Sequence, residues 1–176
     1  PVQAVMAQLP QIMSGRELEA LEGRCERLTS KGVPEDLAVR VSVLSPAYAL
    51  LGIVDTATGT GRDPADVARV HFTLGERLGL PLLVERIFAL PRDDRWQTMA
   101  RASLRDDLYG VHQQLTARVL AATPDGTAAE RVAAWEEDDS DLVARATATL
   151  EEICGDESAD LARLSVGLRI VRSLLT

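Results

Sequence analysis

The sequence has 176 residues, a formal net charge of −8, and only two each of tryptophan, tyrosine and phenylalanine. This length allows one domain with a hydrophobic core and hardly a second, and the abundant alanine, leucine and arginine favour an all-α fold. Acidic residues outnumber the scattered basic ones, which argues against binding to nucleic acid or to an anionic membrane surface, and no apolar run reaches the roughly 20 residues of a membrane span.

In the first half of the chain, glycine and proline separate short segments with helical periodicity. A short helix is predicted over 2–8, and Ser14 begins the next helix as a capping box with Glu17. Gly32 ends that helix. Prolines at first helical positions predict three further starts: Pro34, Pro46 after the N-cap Ser45, and Pro64 after the N-cap Asp63. Another short helix is predicted from Leu82 to Leu90.

The inward faces of these helices are predicted from apolar residues spaced three and four positions apart. They are Leu18, Leu21, Cys25 and Leu28, then Leu37, Val41 and Leu44, then Tyr48, Leu51 and Val54, and then Val67, Val70, His71, Leu74 and Leu78. Cys25 is therefore expected to be a small core residue.

The longest helix is predicted from the N-cap Asp94 to Ala122, about 29 residues or roughly 43 Å. Asp94 and Gln97 have the spacing of a capping box, and a Thr-Pro-Asp-Gly turn follows the helix. Its apolar stripe consists of Trp96, Met99, Ala100, Leu104, Leu108, Val111, Leu115 and Val119. A stripe of this length needs other helices packed along it.

Two more helices are predicted after this turn. Thr127 and Glu130 form a capping box, and the helical phase from Val132 to Ile153 favours one helix through the acidic run 136–141. The alternative is a break in the run, with Asp139 or Ser140 capping a new helix. Ser158 is expected to cap the last helix, which has the seam Leu161, Leu164, Leu168, Val171 and Leu175.

Together these elements predict an irregular helical bundle of about eight helices around the long central helix. The last two helices are expected to pack beside the long helix, and the shorter helices are expected to close the other end. Two distant cysteines, Cys25 and Cys154, suggest neither a zinc site nor a disulfide framework, and a reducing cytoplasm is the expected compartment. Because the chain begins with Pro1 rather than methionine, we expect it to be a piece of a longer polypeptide.

Possible catalytic and ligand-binding motifs have simpler structural interpretations. Gly59-Thr60-Gly61 lacks the preceding strand and the third glycine of a dinucleotide-binding loop, so a helix–helix turn is favoured. The acidic run lacks the alternating ligands and central glycine of a calcium loop, so a solvated helix face or a cap is favoured. His71 is expected to be a packing residue, and His112 has no obvious partner.

The charged residues near the middle of the long helix have no in-helix partners three or four positions away. They are Arg101, Arg105, Asp106 and Asp107. One interpretation is that they pair with other helices or another domain, and the alternative is that they are exposed and unpaired. Lys31 is the only lysine, and no nucleophile elbow or phosphate loop is present, so the residues themselves predict no catalytic, cofactor-binding or metal site.

Several segments carry a family resemblance. They are Val33-Pro34-Glu35-Asp36-Leu37-Ala38, Ile53-Val54-Asp55, Thr60-Gly61-Arg62-Asp63, Leu74-Gly75-Glu76-Arg77-Leu78-Gly79-Leu80, Leu90-Pro91-Arg92-Asp93-Asp94-Arg95-Trp96-Gln97, Ala102-Ser103-Leu104-Arg105-Asp106-Asp107-Leu108 and Leu164-Ser165-Val166. The chain resembles the C-terminal segment of the large multidomain bacterial NAD-dependent glutamate dehydrogenases. Its preference for arginine over lysine is similar to that of high-GC bacteria such as actinobacteria.

The resemblance implies a non-catalytic helical domain, because the catalytic and NAD-binding motifs of that family lie upstream of this segment. It also implies that residues 1–32 lead in from an upstream domain, that residues 33–176 form the C-terminal domain, and that the partners are the catalytic domain of the same polypeptide and further subunits of a homo-oligomer. NAD would serve the parent enzyme and not this segment. The alternative is a self-contained helical module that binds or regulates a separate protein.

Overall fold

The computed structural model describes residues 12–13 and 15–176, without the side chains of residue 16 and of residues 44–47. These residues form nine helices and no strand, which confirms the all-α prediction. The helices are α1 (Gly15–Ser30), α2 (Glu35–Ser42), α3 (Leu44–Thr60), α4 (Pro64–Arg77), α5 (Leu80–Ala89), α6 (Arg95–Ala122), α7 (Ala128–Asp138), α8 (Ser140–Gly155) and α9 (Leu161–Ser173). The predicted helix over 2–8 and the predicted cap Ser14 lie outside the described residues.

The three predicted starts with the clearest capping signals are confirmed. The Asp63 carboxylate accepts a hydrogen bond from the backbone N–H of Ala65 at 2.8 Å, with proline at the first position of α4. The Asp94 carboxylate accepts one from the backbone N–H of Gln97 at 2.8 Å. Thr127 forms both halves of its capping box at the start of α7. Each cap pairs N–H groups that the first turn of a helix leaves without a partner.

The predicted starts of α2, α3 and α9 are wrong by one or two positions. Pro34 has extended dihedral angles and is the N-cap of α2. Helix α3 begins at Leu44, so Pro46 lies at its third position, where the missing N–H is still not needed for the helix. Asp160 caps α9, whereas Ser158 bonds to the nearby Asp156.

The acidic run interrupts the helix that was predicted to pass through it. Asp139 has φ −125° and ψ 33°, which separates α7 from α8. Its carboxylate lies 3.5 Å from the guanidinium of Arg118 on α6. Helix α7 packs against α4 and α6, whereas α8 packs mainly against α9, so the two helices follow different neighbours. The helical phase from Trp135 to Leu142 survives because the break involves a single residue.

The bundle has two central helices, α4 and α6. Helix α6 packs against α3, α4, α5, α7 and α9, so α9 and α7, the first half of the predicted helix before it, lie beside α6 as predicted, whereas α8 packs mainly against α9. Helix α4 is enclosed by α3, α5, α6 and α7. Half of its 14 residues are buried: Val67, Ala68, Val70, His71, Phe72, Leu74 and Gly75. Helix α1 packs mainly against α2, and the predicted division at residue 32 stays a prediction.

Helices α2 and α3 turn other residues inward than predicted. Leu37, Val41, Tyr48 and Leu51 are all exposed. The buried residues are instead Ala38 and Ser42 on α2, and Ala49, Leu50, Ile53 and Ala57 on α3. Four of these six residues are alanine or serine, and small residues at a helix contact let the two backbones approach closely. The spacing of the large apolar residues therefore did not predict which face is buried.

The stripe of α6 is also buried only in part. From Leu104 to Val119 the predicted inward residues are buried, but Trp96 is 72% exposed and Met99 is 50% exposed. The start of α6 therefore exposes its apolar stripe, although its sequence continues the apolar pattern.

We predict a large cost in stability for an alanine substitution in the buried part of this stripe and almost none in its exposed part. Leu115→Ala should lower the free energy of unfolding by about 2 to 5 kcal/mol, because it leaves a cavity at a fully buried position. Met99→Ala should change it by less than about 0.5 kcal/mol, because the side chain is half exposed. Urea denaturation measures both, and a large cost for Met99→Ala would contradict the exposed position of the first turn.

Candidate functional site

Two histidines stack where α4 crosses α6. The ring centroids of His71 and His112 lie 3.6 Å apart with an interplanar angle of 20°, and both residues are buried. The Nδ1 atom of His71 lies 3.0 Å from the hydroxyl of Thr116, and the Nε2 atom of His112 lies 2.9 Å from the backbone carbonyl of His71. The prediction that His71 packs in the core is confirmed, whereas the prediction that His112 lacks a partner is wrong.

The hydrogen bonds fix the tautomer of each ring. Thr116 donates its hydroxyl proton to the carbonyl of His112 at 2.8 Å, so its oxygen must accept from Nδ1–H of His71. A carbonyl only accepts, so His112 donates Nε2–H to His71. Each neutral ring thus uses its single proton, and the two helices bond to each other reciprocally through these three residues.

Burial holds both rings in the neutral form. Desolvation, followed by repulsion from His112, lowers the pKa of His71 well below its ordinary value. Desolvation lowers the pKa of His112 to about 4, although its hydrogen bond to His71 acts in the opposite direction. Protonation of both rings would place two cations 3.6 Å apart in a medium of low dielectric constant.

Gly75 makes room for the His112 ring. A Cβ atom at this position would lie 2.8 Å from Cε1 of His112, closer than packed atoms normally approach. A signal for His112 was present in the sequence, because Leu108, His112 and Thr116 follow one another at four-residue steps on α6. The sequence did not show that a helical glycine on α4 would face this row.

The histidine cluster is suited to joining helices and not to acid–base catalysis. Its hydroxyl already donates to a carbonyl, and neither ring bonds to a carboxylate among the described residues. No group of three or more potential metal ligands occurs in the part of the chain that the structure describes. The Gly59–Gly61 segment is the end of α3 and its left-handed cap, as the predicted helix–helix turn requires.

The charged residues of α6 have partners of several kinds. Asp107 lies 3.8 Å from the guanidinium of Arg172 on α9, as the cross-helix interpretation expected. Asp106 instead pairs with the adjacent Arg105 at 2.7 Å, a spacing that the sequence analysis did not consider. Arg101 donates to the backbone carbonyl of Phe88 and lies over its ring. All of these contacts are at least partly exposed and contribute little stability individually.

The remaining residues singled out in the sequence are structural or peripheral. Glu136 of the acidic run pairs with Arg77 at 2.6 Å. Lys31 is exposed after the end of α1. Cys25 is only half-buried, so its predicted place in the core is wrong, because α1 packs mainly against a single neighbour. Cys154 is buried, and desolvation raises the pKa of its thiol.

Comparison with known proteins identifies the family. Residues 1–173 match the family described as glutamate dehydrogenase, C-terminal. The chain belongs to this family. The resemblance seen in the sequence is therefore confirmed, and the assignment extends to the residues before Val33 that the resemblance did not cover.

Three curated relatives carry the name NAD-specific glutamate dehydrogenase. The chain is 39% identical to the Mycobacterium tuberculosis protein and 33% identical to the Pseudomonas aeruginosa protein, each over 174 residues, which is 98% of this chain and 11% of the relative. It is 34% identical to the Halomonas elongata protein over 160 residues, which is 89% of this chain and 10% of the relative. The chain thus spans about a tenth of the length of these relatives.

No described helix has the combination of length and apolar content that crossing a bilayer demands.

The stacked histidines predict a loss of stability below neutral pH. Unfolded histidine titrates near 6.5, whereas both folded pKa values are lowered, so the unfolded chain binds more protons as the pH falls from 6.5 towards 4. The stabilisation from neutral burial is complete above pH 6.5 and should fall by up to about 1.4 kcal/mol per pH unit for each histidine. Urea denaturation between pH 5 and pH 7.5 measures this slope.

A double variant separates this effect from the titration of carboxylates. His71→Asn keeps a donor near the position of Nδ1, and His112→Gln keeps one near the position of Nε2, but neither amide titrates. The double variant should lose most of the slope between pH 5 and pH 6.5. An unchanged slope would show that other groups cause it.

The close contact at Gly75 predicts that alanine is harmful there. Gly75→Ala gains helix propensity of about 0.5 to 1 kcal/mol, but it displaces the buried His112 ring, and overpacking of this kind costs about 1 to 3 kcal/mol. Gly110→Ala on α6 is the matched control, because its Cβ meets no atom within 4 Å and should stabilise the protein. Equal melting temperatures for the two variants would contradict the packing described here.

Proposed function

We propose that the chain is a non-catalytic supporting domain of an NAD-dependent glutamate dehydrogenase. The parent enzyme would convert L-glutamate, NAD and water to 2-oxoglutarate, ammonia and NADH, with NAD and substrate bound elsewhere in the polypeptide. The observation that carries the proposal is the match to relatives named NAD-specific glutamate dehydrogenase, of which this stretch forms about a tenth. The histidine cluster joins two helices and supports the same conclusion, since its hydrogen-bonding groups serve packing.

The first turn of α6 is the best candidate for contact with the catalytic domain. Trp96 and Met99 are among the most exposed large apolar residues of the described chain, and the guanidinium of Arg95 lies 5.8 Å from the centre of the Trp96 ring. Tryptophan, methionine and arginine are enriched in protein interfaces. We name these three residues the α6 patch. Arg95 and Trp96 lie in the segment from Leu90 to Gln97, which carries part of the family resemblance.

A second exposed apolar surface lies on α2 and α3. Leu37, Val39, Val41, Tyr48 and Leu51 are all exposed there. Exposed apolar patches mark interaction sites in soluble proteins. We propose that it contributes to subunit contacts in a homo-oligomer of the parent enzyme, which would operate in the cytoplasm, where thiols such as Cys25 and Cys154 stay reduced.

The α6 patch predicts separable effects on the domain and on the whole enzyme. Trp96→Ser combined with Met99→Ser should leave the melting temperature of the 176-residue chain nearly unchanged, because both side chains are at least half exposed. In the full-length enzyme the same pair should lower glutamate-dependent NADH formation and increase proteolytic cleavage near the domain. NADH absorbance and limited proteolysis measure the two effects.

Val166→Ser is the matched control, because Val166 is an exposed apolar residue on a different helix, α9. An effect of equal size in this control would contradict the assignment of the contact to the α6 patch. Glutamate turnover by the 176-residue chain alone would overturn the non-catalytic role. Full activity of an enzyme that lacks this stretch would overturn the supporting role and favour the alternative of a self-contained binding module.

A further inference from the structure

A cavity of about 770 Å³ opens between α1, α2 and α3 on one side and α4, α5 and α6 on the other. This volume lies within the roughly 300 to 1,000 Å³ that small-molecule sites occupy. Buried apolar residues of four helices form part of its wall: Ala49, Phe72, Leu80 and Leu108. The neutral rings of His71 and His112 also line it. The cavity thus has an apolar interior formed by the best-packed part of the bundle.

The charged residues of the lining are unusual for an acidic protein. Four guanidinium groups and two carboxylates line the cavity among the described residues, a formal excess of two positive charges (4 − 2), whereas the whole chain carries −8. The arginines are Arg24 and Arg27 of α1, Arg92 of the α5–α6 connection and Arg105 of α6, and the acids are Glu17 and Glu85. Each of the two walls contributes two arginines.

Two of these arginines are available to a ligand. Arg105 pairs with Asp106, and Arg24 lies over the Phe88 ring, 5.6 Å from its centre. The guanidinium groups of Arg27 and Arg92, in contrast, make no hydrogen bond or ion pair with any residue that the structure describes. The pKa of the neighbouring Arg101 is lowered first by desolvation and then by repulsion from Arg92 and Arg105. The arginines of the cavity therefore also act on Arg101. An anion in the cavity would relieve this repulsion.

Ser42 supplies an independent sign of a missing partner. The residue lines the cavity and is fully buried, yet its hydroxyl has no hydrogen-bond partner. Buried hydroxyl groups are nearly always paired, because leaving one unpaired costs free energy. A ligand oxygen would satisfy this donor.

We propose that the cavity binds a small dicarboxylate. Its two carboxylates would pair with arginines of the two walls, its carbon chain would lie against the apolar wall, and one oxygen would accept from the Ser42 hydroxyl. Arg27 and Arg92, one on each wall, match two carboxylates, and the planar guanidinium group binds a carboxylate through two parallel hydrogen bonds. The apolar wall favours an organic anion over a bare inorganic one.

This site goes beyond the supporting role proposed above and does not require it. Only the choice of probe rests on the proposed function, because glutamate and 2-oxoglutarate, the substrate and product of the proposed parent reaction, are both five-carbon dicarboxylates. A domain that binds such a molecule outside the active site would make the parent enzyme responsive to its own substrate or product.

Isothermal titration of the 176-residue chain with 2-oxoglutarate tests the proposal. We expect saturable binding that the dimethyl ester of 2-oxoglutarate, which lacks both charges, does not show. Arg27→Gln and Arg92→Gln should each weaken binding at least about tenfold, the typical effect of losing a charge-assisted hydrogen bond. Arg169→Gln is the matched control, because Arg169 is an exposed arginine of α9 outside the cavity.

Ser42→Ala separates binding from folding. It should weaken binding severalfold without lowering the melting temperature, because the hydroxyl has no partner to lose. If a glutamine variant fails to fold by circular dichroism, Arg27→Lys and Arg92→Lys keep the charge and should retain weaker binding.

Absence of saturable binding by 2-oxoglutarate, glutamate and glutarate would overturn the proposal. Equal weakening by Arg169→Gln would also overturn it, and equally tight binding of inorganic phosphate would overturn the dicarboxylate assignment. These outcomes are measured on the isolated chain, so they are distinguishable from a failure of the supporting role in the full-length enzyme.

Discussion

The reciprocal bonding of α4 and α6 is the constraint on which the rest of the bundle depends. Every other helix from α3 to α9 packs against one of these two helices or against a neighbour that does. His71, His112 and Thr116 fix how far the two helices are rotated and shifted relative to each other, because hydrogen bonds tolerate far less displacement than apolar contacts do. Gly75 sets the distance, since only a residue without a side chain allows the ring of His112 to lie against α4.

Local signals made much of the fold predictable from the sequence. Asp63, Asp94 and Thr127 act within their own first helical turns, so their capping roles follow from spacing alone. The all-α class follows in the same way from periodicity and composition. The break at Asp139 was harder to predict, because a one-residue interruption barely changes the helical phase, and the different neighbours of α7 and α8 are set by tertiary packing.

Long-range choices were not predictable from one sequence. The inward face of α3 consists of Ala49, Leu50, Ile53 and Ala57, because this face packs against α4 and α6, whereas Leu51 faces outward. Arg62 donates to the carbonyls of Leu120 and Pro124, so a side chain far away in the sequence caps the end of α6. The histidine pair and the cavity likewise bring together residues from helices that are distant in the chain.

The supporting role and the dicarboxylate site both fit the chemistry of this bundle. In its interior, His71, His112 and Thr116 bond α4 to α6, whereas the buried Ser42 hydroxyl at the cavity has no hydrogen-bond partner. An enzyme domain without an active site of its own can still serve as a scaffold whose packing responds to a bound molecule. The shared wall residues His71 and His112 would connect the two properties, because they belong to the core and to the cavity at once.

The hydrogen bonds between His71, Thr116 and His112 also make the opening of the core measurable by hydrogen exchange. The two imidazole N–H protons are shielded from water and exchange with it only when α4 and α6 separate. Their exchange rates, measured from the NMR signals of the ring N–H protons, would report how often the centre of the bundle opens. Fraying of the helix ends would not affect these rates. A molecule that binds in the neighbouring cavity would lower these exchange rates.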